Sequence, residues 1–133
     1  MKKVLLFIML LIGGVNAAMA QAEIKFDKVT HNFGQFPKNA PVVNCVFTYQ
    51  NVGDAPLVIN QAIGSCGCTV PEYTKEPVQP GQKGELKVTY NGTGKRLGHF
   101  AKTVTVHCNG KVEIVRLTIE GDMTEAQPAQ TGK

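Results

Sequence analysis

Two cysteines stand one residue apart in the segment Cys66-Gly67-Cys68-Thr69, and three chemistries suit that spacing. The pair can close a local disulfide, short and strained, which reduces more easily than a structural bridge. It can cycle between dithiol and disulfide, with Lys95 or Arg96 nearby to depress a thiol pKa. It can hold a soft ion, Cu(I) or Zn(II), with His31 or His99 completing the ligand set. A plainer reading stands beside these. Gly67 permits a positive φ, and the segment makes a tight corner in which both cysteines pack as small apolar groups. A bridge from Cys45 to Cys66 or Cys68 is a less strained alternative to the local one. The metal reading lacks a second Cys-x-x-Cys or His-x-x-x-His half. The redox reading lacks the helix N-terminus on which a Cys-x-x-Cys oxidoreductase carries its motif.

Other catalytic constellations are missing from the sequence. There is no Gly-rich phosphate loop, no Gly-x-Ser-x-Gly elbow and no His-Glu-x-x-His. Ser65 and Thr69 have no adjacent base, and the acidic residues are scattered singly. A non-enzymatic protein without a cofactor is therefore expected. The formal net charge of +4 includes Lys2 and Lys3 and drops to about +2 without them. No Arg/Lys cluster is interleaved with aromatics, so nucleic acid is not the expected partner.

The elements that must position these residues begin after a leader. Lys2 and Lys3 precede an unbroken apolar run, Val4 to Ile12, and Ala18-Met19-Ala20 supplies a small-x-small cleavage site. That is the form of a secretory signal peptide over residues 1–20, and the run is too short for a membrane span. Cleavage at about Ala20 leaves 113 of the 133 residues, enough for one domain with one core. The mature chain is expected to be exported, periplasmic or secreted, and soluble, with no integral membrane segment. In an oxidising compartment, disulfides become available to Cys45, Cys66, Cys68 and Cys108.

From Ile24 onward the apolar residues recur with period two between turn residues, which argues for strands throughout. Seven are expected: Glu23–Val29, Val42–Gln50, Leu57–Ile63, Thr69–Tyr73, Glu85–Tyr90, His99–Cys108 and Lys111–Glu120. Asn109-Gly110 reads as a two-residue type I′ hairpin. That hairpin would set Val104 against Val115, Phe100 against Ile119 and His107 against Val112. Seven short strands at this spacing imply an all-β, immunoglobulin-like seven-stranded β-sandwich over residues 21–121. Residues 122–133 read as a loose polar tail.

If the strands alternate in direction, three connections share one end. They carry His31, Phe33, Gly34 and Phe36; Ser65 to Thr69; and Lys95, Arg96, Gly98 and His99. Cys45 lies toward the same end. The candidate functional end is thus His31, Phe33, Cys66, Gly67, Cys68, Thr69 and Arg96. Cys108 belongs at the far end. An offset from Cys45 of about five or six residues at ~3.3 Å each far exceeds the roughly 4.4–6.8 Å Cα separation of a bridge. Cys108 is expected to be a free, buried or half-buried thiol.

The motifs Phe26…His31-x-Phe33-Gly34, Phe47-x-x-x-Asn51-x-Gly53-Asp54-x-Pro56-Leu57-x-Ile59, Cys66-Gly67-Cys68-Thr69, Pro80-Gly81 and Arg96-x-Gly98-x-Phe100 together resemble a bacterial exported family. It is known as the domain-of-unknown-function family number fifteen seventy-three, related in fold to the Hydin/ASH immunoglobulin-like domains. The resemblance implies the sandwich and export and brings no established activity. ASH-like domains are interaction modules, which is a fold-level analogy. The expected function is therefore a binding or scaffold module of the cell envelope, with another envelope protein as partner. It would use the His31/Cys66–Thr69/Arg96 end or an exposed sheet edge. The alternative is a thiol-redox or soft-metal (Cu/Zn) handling protein working through Cys66 and Cys68.

Overall fold

The computed structural model describes residues 20–126. The leader expected over residues 1–20, apart from Ala20, and residues 127–133 of the expected tail lie outside the described residues. Among the described residues strands make up all the regular structure, and no helix there is long and apolar enough to cross a membrane. Eight strands form, one more than the sequence suggests: β1 (Ile24–Phe26), β2 (Thr30–Pro37), β3 (Val42–Asn51), β4 (Ile59–Gly64), β5 (Thr69–Tyr73), β6 (Lys83–Asn91), β7 (Gly98–Cys108) and β8 (Ile114–Thr124). They build two four-stranded sheets, β1-β3-β6-β5 and β2-β8-β7-β4.

The period-two pattern puts the core between these sheets. Phe47, Tyr49, Leu86, Val88 and Tyr90 point inward from the first sheet; Val104, Val106, Leu117, Ile119 and Met123 point inward from the second. Of the five changes of sheet, two join edge strand to edge strand, through Asp27–Val29 between β1 and β2 and through Ser65–Cys68 between β4 and β5.

The additional strand is β2, which the sequence suggests as a connection. It runs parallel to β8, with His31 opposite Ile119. Its alternation is broken by a bulge: Asn32 pairs with Glu120 and Gln35 with Asp122, so Phe33 and Gly34 together face Gly121. Gly34 takes φ of 70°, a conformation that glycine adopts without a Cβ penalty. The Asn32 side-chain oxygen accepts from the Gly34 N–H at 2.7 Å and fixes the turn. The extra residue reverses the strand's parity, so Phe33 and Phe36, three apart, both join the core.

The Asn109-Gly110 hairpin is a second correction. Val104 faces Leu117, Phe100 faces Gly121 and His107 faces Ile114, a register displaced by two residues from that expected. Neither Asn109 nor Gly110 has positive φ, so no type I′ turn forms. A longer loop results, closed by the Cys108 N–H on the Glu113 carbonyl at 2.9 Å. Asn109 serves the segment leading into β4 instead: its side chain accepts from Val58 N–H at 2.8 Å and donates to the Pro56 carbonyl at 3.1 Å. Because the slip is an even number of residues, the buried face of β8 is the expected one. The third correction concerns the tail. Asp122, Met123 and Thr124 continue β8 between β2 and β7, and Met123 is buried.

Candidate functional site

The Cys66 segment is a turn that carries the chain from one sheet to the other. Thr69 N–H donates to the Cys66 carbonyl at 3.2 Å, and Gly67 and Cys68 occupy the two central positions. Gly67 does not adopt positive φ, contrary to the expectation, and a Cβ added there would meet nothing within 4 Å. The glycine that the crossing requires is Gly64, where any Cβ would run into the Thr69 carbonyl. Three further bonds hold the turn to its surroundings. Ser65 N–H donates to the Thr103 carbonyl (2.8 Å), Thr103 N–H returns to Ser65 Oγ (3.2 Å), and Asn91 N–H donates to the Cys68 carbonyl (2.8 Å).

Of the bridges left open by the sequence, the structure has Cys66–Cys68, with a Cα separation of 5.2 Å. Cys45 and Cys108 are free thiols, both buried. Burial pushes the Cys45 thiol up to about 11, with the nearby Lys28 charge partly opposing. Burial also raises Cys108, against a lowering by the Gly110 N–H, and its sulfur lies 3.3 Å from the Val112 carbonyl. Within the bridge the two sulfurs differ: Cys66 is half-buried and Cys68 is buried. Thr69 Oγ1 sits 3.7 Å from each sulfur. A disulfide carries no proton, so the hydroxyl is the donor, its one proton directed at one sulfur or shared between the two.

Of the three expected connections, the turn at Cys66–Thr69 and the loop at Arg96 meet at one end, joined there by the loop that follows β2; the stretch from His31 to Phe36 is the strand β2 itself. Gly92 N–H bonds the Pro41 carbonyl at 2.9 Å, which ties the β6–β7 loop to the β2–β3 loop, and the Asn91–Cys68 bond ties in the β4–β5 turn. Arg96 is exposed on the β6–β7 loop, beside exposed Leu97 and between Gly94 and Gly98, which take φ of 74° and 107°. Beneath these loops lies an aromatic plug. Tyr90 and Phe100 stack across the sheets at 4.0 Å, Phe36 meets Phe100 edge-on at 5.8 Å, and Phe33 reaches Phe100 at 6.5 Å.

His31 does not belong to the cysteine cluster. It sits on β2, the opposite edge of its sheet from β4, three strand steps or roughly 14 Å away. Its ring meets Phe33 edge-on at 4.8 Å and its Nδ1 lies 2.8 Å from Lys28 Nζ. Burial first, and then the Lys28 charge, lower its pKa. His99 is exposed on β7, with Nδ1 3.4 Å from Asp122 Oδ1. The four metal candidates are therefore not gathered, and the bridged sulfurs carry no thiolate to offer a soft ion. Among the described residues no group of three or more His, Cys, Asp or Glu converges.

Asn51, singled out in the sequence only as part of the family motif, is a fully buried hub at the other end. Its Oδ1 accepts from Gly53 N–H (3.0 Å) and Glu23 N–H (3.3 Å), and its Nδ2 donates to the carbonyls of Ala55 (2.7 Å) and Val78 (2.8 Å). The signal was present in Asn51-x-Gly53-Asp54, since an asparagine two residues before an exposed N–H makes this kind of turn. An open groove lined by Thr74, Glu76, Pro77, Val78, Gln82 and Lys83 lies nearby and includes none of the sequence candidates.

The fold has solved counterparts. A protein of unknown function from Porphyromonas gingivalis W83 is similar over 77% of this chain and 46% of its own, with TM-score 0.62 and 14% identity. The secreted serine protease VesC from Vibrio cholerae is similar over 81% of this chain, with TM-score 0.59 and 13% identity, but over only 24% of its own. The ASH/PapD-like domain 7 of human CEP192 is similar over 80% of this chain and 89% of its own, with TM-score 0.57 and 12% identity. The chain thus spans less than half the length of the first two, and at these identities the likeness is one of fold. No curated protein matches the sequence. A family described as Protein of unknown function (DUF1573) matches residues 24–123, nearly the whole sandwich, and the chain belongs to that family.

Proposed function

We propose that this chain is an exported, non-enzymatic binding or scaffold module of the cell envelope. It takes an extended segment of another envelope protein along the open edge of β4. In this reading residues 1–20 are the cleaved leader and the mature domain is soluble in the periplasm or outside the cell. The domain runs to Thr124, with a short tail beyond it.

The observation that carries the reading is the inequality of the four sheet edges. An unpaired edge strand invites another strand unless it is short, bulged, charged or interrupted by proline. β1 has three residues, β2 is bulged at Phe33-Gly34, and β5 has Pro71 and Glu72 at its middle. β4, Ile-Asn-Gln-Ala-Ile-Gly, has neither charge nor proline. Its register shift falls between Ile59 and Gln61, leaving Gln61–Gly64 regular, and Ile63 is 46% exposed. Such an edge can bind by strand addition, with main-chain bonds giving affinity and alternate side chains giving selectivity.

The test is photo-crosslinking in the native envelope. A photoreactive residue at Asn60 should give one discrete adduct, abolished when Ile63→Lys is combined with it. The same probe at Lys25 on β1 or Glu72 on β5 should give none. Equal adducts from all three edges, or an adduct indifferent to Ile63→Lys, would reject this docking mode.

A further inference from the structure

We propose that Cys66–Cys68 is a working disulfide that oxidises a pair of thiols on another exported protein, with Cys66 as the sulfur attacked. The inference is independent of strand addition at β4. It starts from how little the bridge is needed for the fold. The turn is already closed by Thr69 N–H on the Cys66 carbonyl, and it is fastened by Ser65 to Thr103 and by Cys68 to Asn91. A bridge between residues with sequence separation 2 encloses a very small loop, so it restricts the unfolded chain far less than a long-range disulfide does.

The local geometry then distinguishes the two sulfurs. Cys66 is half-buried, and the residue beside it, Gly67, is exposed and has open space where a side chain would be. An incoming thiolate can reach Cys66, whereas Cys68 is buried against the core. Thr69, itself only 3% exposed, directs its hydroxyl at the sulfurs. Among the described residues that hydroxyl has no other hydrogen-bond partner. When the bridge opens, the hydroxyl remains on the leaving sulfur and donates to it, as a charge-assisted bond. The other two cysteines contrast with Cys66: Cys45 and Cys108 are buried, unbridged and raised in pKa by burial, the environment of an inert thiol.

The reaction is two successive exchanges. A partner thiolate attacks Cys66 Sγ and forms a mixed disulfide; the Cys66–Cys68 bond breaks, its electron pair passes to Cys68 Sγ, and that sulfur takes a proton from water. The partner's second thiolate attacks the partner sulfur of the mixed disulfide. That releases Cys66, which is protonated in turn. The partner loses two electrons and becomes a disulfide, and Cys66 and Cys68 become two thiols. A second exported disulfide protein reverses the sequence and restores the bridge.

The experiment equilibrates the full mature chain in mixtures of reduced and oxidised glutathione and maps each cysteine by alkylation and peptide mass. The expected result is that Cys66 and Cys68 pass together from disulfide to dithiol as the mixture becomes more reducing. The sandwich stays folded, and Cys45 and Cys108 stay unmodified. Two variants then test which sulfur is attacked. With glutathione disulfide as probe, Cys68→Ala should form a mixed disulfide at Cys66 at least roughly tenfold faster than Cys66→Ala forms one at Cys68. A bridge that stays closed in excess reduced glutathione overturns the proposal. So does a pair that stays reduced in oxidised glutathione, or a fold that is lost when the bridge opens. Equal rates in the two variants remove the assignment of Cys66.

Discussion

At the Asn51 end, one buried amide makes four side-chain hydrogen bonds to the chain around it, while its own backbone pairs with Gln82 and Gly81. Asn109 does the same on a smaller scale for Pro56 and Val58. At the Cys66 end the loops are held to one another by single backbone bonds, and their footing is a set of aromatic rings. The first arrangement is directional and all or nothing: a buried amide with both donors and both acceptors used has no slack. The second is mostly non-directional, so the rings can keep their contacts while the loops above them move. That difference suits the division of labour proposed above, in which the Asn51 end only joins strands and the Cys66 end carries exposed, reactive groups.

Substitutions can break the comparison at either end. The largest effect is expected from Phe36→Ala, which removes the ring set edge-on against the stacked Tyr90 and Phe100. Loss of a buried phenyl should cost about 4 kcal/mol, and a denaturant midpoint will show it. Asn51→Ala should come next, at about 3 kcal/mol, because it leaves two N–H groups and two carbonyls unpaired inside the protein. The signature that separates the two ends is hydrogen exchange. Asn51→Ala should expose the amides of Glu23 and Gly53 and spare those of Thr69 and Asn91; Phe36→Ala should do the reverse. If both variants loosen both ends alike, the two ends are one cooperative unit and the comparison fails. Replacing Cys66 and Cys68 together by alanine should cost at most about 1.5 kcal/mol, the chain-entropy value for so small a loop. A loss as large as that of Asn51→Ala would make the bridge a structural staple after all.

How much of this was legible in the sequence depends on how local the cause is. Leu86, Val88 and Tyr90 alternate without interruption, and they bury as their spacing says. The nearness of the Cys66–Thr69 turn to the loop carrying Arg96 follows from alternation plus strand order, so it too could be read. β2 could not, because its bulge converts a period of two into a spacing of three between Phe33 and Phe36, and that pattern imitates an irregular loop. Asn109-Gly110 misled for a different reason. Its local preference for a tight hairpin is worth less than the two bonds that the Asn109 side chain makes to the segment just before β4, more than fifty residues earlier in sequence. His31 was assigned to the wrong place by the same omission: with β2 unrecognised, its position across the sheet from β4 had no basis in sequence. The choice of Cys68 rather than Cys45 as the partner of Cys66 turns on which strands are neighbours. Cys45 faces the core from β3, two strands from β5 in its sheet, and sequence spacing does not encode that.

The finest test of the comparison uses His31, which heads the row of rings leading through Phe33 and Phe100 to Tyr90. Lys28 Nζ donates to its Nδ1 at 2.8 Å, so the folded state favours the neutral ring with its proton on Nε2. Burial and the Lys28 charge both hold its pKa below the ordinary 6.5. As pH falls, the unfolded ring therefore takes up its proton first, and the unfolded state is favoured. The contribution to stability is fully present above the ordinary histidine range and is lost as pH falls through the folded pKa. His31→Gln should remove that dependence, so the urea midpoints of the two proteins should differ in pH slope through and below this range. The effect should be the smallest of the four, because the ring keeps much of its contact with solvent. Its location is the informative part. If acid loosens the amides around Thr69 and Asn91 before those around Asn51 in the wild type, and not in His31→Gln, then the aromatic row links the edge of β2 to the cysteine turn. Identical slopes in the two proteins would show that His31 rests on the plug without influencing it.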